Sequence, residues 1–163
     1  MEYKKKALPS SDGGRACLMI ARWFVTGFGV GFLPRASGTA GSLLGVLFFL
    51  SIQSVPRPYD LLFLTLLFVL SSYVITFSLP FFQRKDPREI VIDEIWAILV
   101  IFFMIPASFV SWTVGFILFR IFDIAKPSPI RALERLPGGW GVMADDFMAA
   151  IYTIAIVKIL SPL

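Results

Sequence analysis

Three long stretches of this 163-residue chain carry almost no charge, and that feature limits its possible folds more than any other. Between Gly41 and Phe82 the only charged residues are Arg57 and Asp60, both beside the Pro56 and Pro58 pair. Ile95 to Phe119 carries no charge, and Phe147 to Leu163 carries only Lys158. Stretches of this kind suit bilayer-spanning helices, which need roughly 20 apolar residues. A soluble domain averages about 45–50% apolar and about 25% charged residues. Here 57% of positions are hydrophobic and 16% are charged. Buried core helices in a soluble protein would need far more polar partner surface than the other residues supply.

Proline and serine positions divide these stretches. Two prolines so close break a helix, so the first stretch predicts helices over 42–54 and 60–82, paired as an antiparallel hairpin. Met104-Ile105-Pro106-Ala107-Ser108 interrupts the second stretch, and Ser108 is a suitable helix N-cap. Two helices, over 89–104 and 109–126, therefore form a second hairpin. That hairpin brings Asp93, which lies 13 residues before Pro106, level with Asp123, which lies 15 residues after Ser108. Residues 35–41, 83–94, 120–135 and 138–146 then gather at one end, leaving Arg57, Asp60 and Lys158 at the other. By the positive-inside rule the crowded end is cytoplasmic. The expected fold is all-α: an integral membrane bundle of two antiparallel helix hairpins plus a C-terminal span from about 147. An interfacial helix over 15–26 precedes them. Residues 1–14, with Lys4-Lys5-Lys6, are expected to be a mobile basic tail that meets anionic membrane lipid. Residues 15–163 form a single helical domain. Arg22 and the glycines at 27, 29 and 31 argue against a cleaved signal sequence.

The chain has no histidine and one cysteine. This removes imidazole-based catalysis and cysteine-rich zinc sites. Cys17 lies in an apolar helix with only Arg22 nearby, a poor setting for a reactive thiolate. Chemistry is left to carboxylates, Lys, Arg, hydroxyl groups and a hard metal ion.

Four polar clusters border the apolar stretches. Gly27 to Ser42 is rich in glycine, which suits either a flexible loop or close backbone approach to phosphate at a helix start. It lacks the Gly-Lys-Ser/Thr ending of a nucleotide P-loop. Asp86-Pro87-Arg88-Glu89 leads into Asp93-Glu94; the helix dipole accounts for Glu89, but the last two acids sit further in, where charges are costly. Arg120, Asp123 and Lys126 step by three and share an arc of about 120°. They form either a self-neutralising ladder or a metal-binding carboxylate flanked by phosphate-binding cations. Gly138-Gly139-Trp140-Gly141 leads to Asp145-Asp146, one acid more than a helix cap needs. Oxygen donors without histidine favour Mg²⁺ over zinc.

Gly38-Thr39-Ala40-Gly41-Ser42-Leu43 and Val91-Ile92-Asp93-Glu94 are the first two of four motifs. Phe119-Arg120-Ile121-Phe122-Asp123 with Lys126-Pro127-Ser128-Pro129-Ile130-Arg131, then Gly138 to Asp146, complete the set. In this order they resemble the phosphatidylglycerophosphatase A family, from about Gly27 to the C-terminus. Ser37 stands where proline is common in the family, and Ala97 where glycine is common; neither change removes a chemical group. The resemblance implies a Mg²⁺-dependent lipid phosphatase of the bacterial inner membrane. It would convert phosphatidylglycerophosphate to phosphatidylglycerol in phospholipid synthesis, on the cytoplasmic side.

On that basis Glu94, Asp123 and Asp145 are expected to hold Mg²⁺, with Asp93 or Asp146 as a further ligand or water-activating base. Lys126, Arg120 and Arg131 would hold the phosphate, and Thr39 with nearby backbone N–H groups would contact its oxygens. Asp123 or Asp146 could instead act as a nucleophile through an aspartyl-phosphate. No nucleic-acid partner is expected. A divalent-cation channel or transporter would carry its acids at mid-depth rather than at helix ends. A CDP-alcohol phosphotransferase pattern is present only as Asp12-Gly13, without the later acids it requires.

Overall fold

The computed structural model describes residues 12–54, 56, 58–82 and 87–160, and among these all regular structure is helical. Helix α1 spans Asp12–Val25, and a single 3₁₀ turn over Val30–Phe32 leads into α2, Ser37–Ile52. Helix α3 is Tyr59–Phe82, α4 is Ile92–Met104 and α5 is Phe109–Ala125. A single turn of helix, α6 (Ile130–Leu133), precedes α7 (Gly139–Leu160). Residues 1–11, most of the expected basic tail, and 161–163 lie outside the described residues; positions 12–14 belong to α1 rather than to a tail.

Beyond Asp93 and Glu94 in its first turn, helix α4 is apolar on every face, and the bundle is built around it. Ile95, Ala97, Ile98, Leu99, Ile101 and Phe102 are all buried, which is the expected fate of a helix with no polar face. Its break from α5 falls at Ile105–Ser108, where the Ser108 hydroxyl accepts a hydrogen bond from the Ser111 N–H at 3.1 Å. Ile101 and Ile105 pack against Gly115 near the turn, and Glu94 faces Arg120 at the far end. The second hairpin is therefore antiparallel, with Asp93 and Asp123 at one end, as their spacing predicts.

The first hairpin differs from expectation. Helices α2 and α3 are consecutive but hardly touch; α2 lies along α4 instead, and α3 along α7 and α1. The cause is a row of small residues on α2. A Cβ on Gly41 would come within 2.7 Å of the Val91 Cβ, and one on Gly45 within 3.0 Å of the Ile95 carbonyl oxygen and the Ile98 Cβ. Only glycine lets the two backbones approach so closely, as in small-residue packing between membrane helices. Phe49 extends the contact, lying edge-on to Phe102, Phe103 and Trp112 at 5.1–5.3 Å. Helices α2 and α4 therefore run parallel with their starts together. The space left between α2 and α3 is an apolar crevice of about 300 Å³, floored by Ile92, Ile95 and Leu99.

Helix α3 is fixed from two sides. The Trp96 indole N–H donates to the Leu64 carbonyl at 2.8 Å in a buried setting. The Gly139 N–H donates to the Thr76 hydroxyl at 2.8 Å, tying the start of α7 to the late part of α3. Arg22 lies over the Phe32 and Phe81 rings, at 4.6 and 4.4 Å, which holds α1 against the 3₁₀ turn and the end of α3. Large apolar side chains remain exposed around the bundle, among them Leu47, Leu62, Leu66, Leu70, Phe109 and Ile117. Among the described residues α3 is the one helix both long and apolar enough to cross a membrane by itself; α2 is apolar but has 16 residues.

Candidate active site

Helices α2, α4 and α7 all begin at the same end of the bundle, where α5 finishes. A cavity of about 380 Å³ opens there, and Asp93, Glu94, Asp123, Asp145 and Asp146 all line it. Oxygens of Asp93, Glu94 and Asp146 lie within 4.8 Å of one another. Asp93 and Glu94 occupy the first turn of α4, where unpaired N–H groups and the helix dipole favour negative charge. The Glu94 N–H donates to Asp93 Oδ1 at 3.1 Å, and the Asp146 N–H to Asp145 Oδ1 at the same distance. Asp145 and Asp146 lie within α7, beyond its first turn, so they are not caps for that helix. A carboxylate this far from water is costly unless a cation or hydrogen bonds compensate it. Glu94 Oε2 and Asp146 Oδ2 are buried without a hydrogen-bond partner.

The remaining two acids are paired with cations from α5 and its end. Arg120 Nη1 donates to Asp123 Oδ2 at 2.8 Å and stands 3.9 Å from Glu94 Oε1. Lys126 Nζ donates to Asp145 Oδ2 at 2.6 Å and also to Glu134. Burial works against the Lys126 ammonium, but the hydrogen bond and charge of Asp145, followed by those of Glu134, outweigh it and hold its pKa above the usual lysine value. Lys126 caps α5 in the left-handed conformation, with φ 44°, a position where glycine is usual. A residue with a β-carbon stays there only when its surroundings hold it, and here Asp145 and Glu134 do so. Asp123 lines the same cavity as Asp146, which brings the α5 pair beside the acid triad.

Helix α2 delivers its N-terminus onto this group. Ser37, Gly38 and Thr39 line the cavity, and the N-cap Ala36 provides no side-chain bond to the first-turn N–H groups. A Cβ on Gly38 would fall 2.4 Å from Glu94 Oε1 and 2.9 Å from Arg120 Nη2. The glycine thus lets the helix start reach the carboxylates directly.

The phosphatidylglycerophosphatase A family model matches residues 23–161, a span that contains every one of these groups. The chain belongs to this family. A Haemophilus influenzae phosphatidylglycerophosphatase A is 38% identical over 134 residues, covering 80% of this chain and 82% of the relative. The Escherichia coli protein of that name is 32% identical over 133 residues, covering 80% and 77%. A Bacteroides thetaiotaomicron protein, provisionally named a phosphatidylinositol-3-phosphatase, is 35% identical over 146 residues, covering 82% and 89%. No solved structure matches. Phosphatidylglycerophosphatase A proteins are phosphomonoester hydrolases by name, and the chain is an enzyme of that class.

Within this family framework, the residues expected from the sequence fall into three groups. Asp93, Glu94, Asp123, Asp145, Asp146, Thr39, Arg120 and Lys126 all line one cavity. Among Glu94, Asp123 and Asp145, expected together as metal ligands, Glu94 is in the closely spaced triad; Asp123 faces Arg120 and Asp145 faces Lys126. Arg131 is exposed on α6 and does not line the cavity. Arg35, Arg88 and Glu134 were not singled out by sequence reasoning. Glu134 is the second partner of Lys126, and both arginines line the cavity mouth. Arg35 and Arg88 each precede a helix whose start carries a motif, but that proximity gives no sign of which way either side chain turns.

Proposed function

We propose that the chain hydrolyses the terminal phosphate of phosphatidylglycerophosphate, giving phosphatidylglycerol for phospholipid synthesis, with Mg²⁺ held by Asp93, Glu94 and Asp146. The carrying observation is that triad, close-spaced at the meeting point of three helix starts, with Asp93 and Asp146 buried, Glu94 largely so, and one oxygen each of Glu94 and Asp146 buried without a partner. Its donors are all oxygen, and the five acids of the cavity exceed the two cations paired among them, Arg120 and Lys126, which fits a hard divalent cation. A bound Mg²⁺ supplies Lewis-acid charge neutralisation for the phosphate oxygens.

The chain's own groups carry out the other tasks. The first-turn N–H groups of α2 and the Thr39 hydroxyl receive the phosphoryl oxygens, using the positive end of the helix dipole. Arg120 holds Asp123 in place to take the proton of the attacking water. As the water oxygen bonds to phosphorus, the bond to the glycerol oxygen breaks; the departing oxygen takes a proton from solvent water, and Asp123 returns its own proton to solvent, so the protons balance. Lys126 holds Asp145 and Glu134, which keeps the α5–α7 junction closed around the triad.

The exposed apolar side chains of α2, α3 and α5 support an integral membrane protein, with α1 lying in the interface through Met19, Ile20 and Trp23. The site then faces the cytoplasmic side of the bacterial inner membrane, where the lipid headgroup is presented. Asp146→Asn tests the assignment: phosphate release should fall at least about a hundredfold in a variant that still inserts and elutes as wild type does. Near-wild-type release would refute the triad as the centre of catalysis.

A further inference from the structure

Two guanidinium groups at the cavity mouth have no part in the chemistry above. Arg35 stands just before α2 in the left-handed conformation, with φ 71°, and Arg88 stands in the turn before α4. Both are exposed and both line the cavity that holds the carboxylates. Among the described residues neither makes an ion pair, whereas Arg120 and Lys126 are each held between two acids. The inner cations are thus committed to the protein, whereas among the described residues the outer two have no acidic partner and line the cavity a ligand would enter. A residue with a β-carbon adopts φ near 71° only where its surroundings favour it, so the Arg35 position is specified rather than incidental. Because α2 and α4 run parallel with adjacent starts, both arginines reach the cavity from the positive ends of helix dipoles. The planar arginine fork matches two phosphate oxygens at once.

We infer that Arg35 and Arg88 form a second anion subsite, which holds a phosphodiester while the phosphomonoester lies among the buried groups. The inference rests on the hydrolase reading above. A lipid with the monoester innermost places its next headgroup outward at the mouth. In phosphatidylglycerophosphate that group is a charged phosphodiester, whereas in phosphatidic acid the phosphomonoester joins uncharged diacylglycerol directly. The subsite therefore selects lipids with two phosphates over lipids with one.

The test uses full-length protein in detergent micelles and measures phosphate release from each of these two lipids with Mg²⁺. Wild type should prefer the two-phosphate lipid. Arg35→Gln and Arg88→Gln should each raise its KM by about tenfold, with kcat much less affected. The same changes should move phosphatidic acid kinetics little, so the ratio of kcat/KM values collapses. Lysine at either position should recover part of the ratio, since it keeps the charge without the fork. The double Gln variant should also lose most of the dependence of KM on ionic strength. Equal losses on both lipids, a fall in kcat at constant KM, or a wild type without preference would overturn the subsite while leaving the hydrolase intact. Release from neither lipid by wild type would instead overturn the hydrolase reading, and the subsite with it.

Discussion

Gly38 shows how closely the site depends on single atoms. Its hydrogen occupies the place where a methyl group would meet Glu94 and Arg120. Gly38→Ala should improve local helix propensity, by up to about 1 kcal/mol. It should nonetheless lower phosphate release by about tenfold to a hundredfold, because displacing reacting groups by about 1 Å is that costly. Melting measured beside activity separates the two effects; retained activity would mean that the Glu94–Arg120 arrangement tolerates a shift. Lys126→Met removes the only cation between Asp145 and Glu134 among the described residues and leaves buried negative charge behind. Breaking a buried pair costs about 3–5 kcal/mol, discounted here because Glu134 is more than a third exposed. A loss of about 2 kcal/mol in thermal or denaturant unfolding is expected. At this scale the sequence was informative. The acids and the inner cations announce themselves because ionised residues beside apolar stretches are rare. What stayed hidden was their pairing: a carboxylate meant for an ion and one meant for a lysine look identical until the backbone is placed.

Among the elements, the turn between α4 and α5 was legible because Pro106 and Ser108 act locally. Ser108→Ala should cost about 1 kcal/mol in unfolding experiments, with the active site unaffected. The partnership of α2 with α4 was not legible. Gly38, Gly41 and Gly45 lie in a helix with little amphipathic pattern, so they signal close packing without naming the partner. Gly38 and Gly41 lie before the helix expected over 42–54, whereas α2 begins at Ser37 and incorporates them. Gly139 and Gly141 likewise lie before the span expected from about 147, yet they start α7. A Cβ on Gly139 would lie 2.2 Å from the Ser72 carbonyl oxygen, so contact with α3 demands the glycine. Gly45→Leu should force α2 from α4 and destabilise the bundle by about 1–3 kcal/mol through overpacking. Gly13→Ala, where a Cβ meets nothing, is the matched control. Equal melting of the two variants would contradict the close α2–α4 contact as a source of stability.

For the whole molecule, the uncharged stretches fixed an all-helical architecture, while the order of helices around α4 depended on contacts distant in sequence. Gathering the charged clusters at one end predicts a definite sidedness. In a Cys17→Ser background, single cysteines at Arg88 and Arg131 should both be labelled from the cytoplasmic face alone. Labelling from opposite faces would contradict the α4–α5 hairpin as a membrane element. The central claim concerns what that end of the bundle does. It is tested most directly by titrating Mg²⁺ into purified protein with phosphatidylglycerophosphate and measuring released phosphate. Release should rise with Mg²⁺, stop when a chelator is added and return when Mg²⁺ is restored. No release with Mg²⁺, or release that a chelator leaves untouched, would contradict a lipid phosphatase built on the Asp93, Glu94 and Asp146 triad.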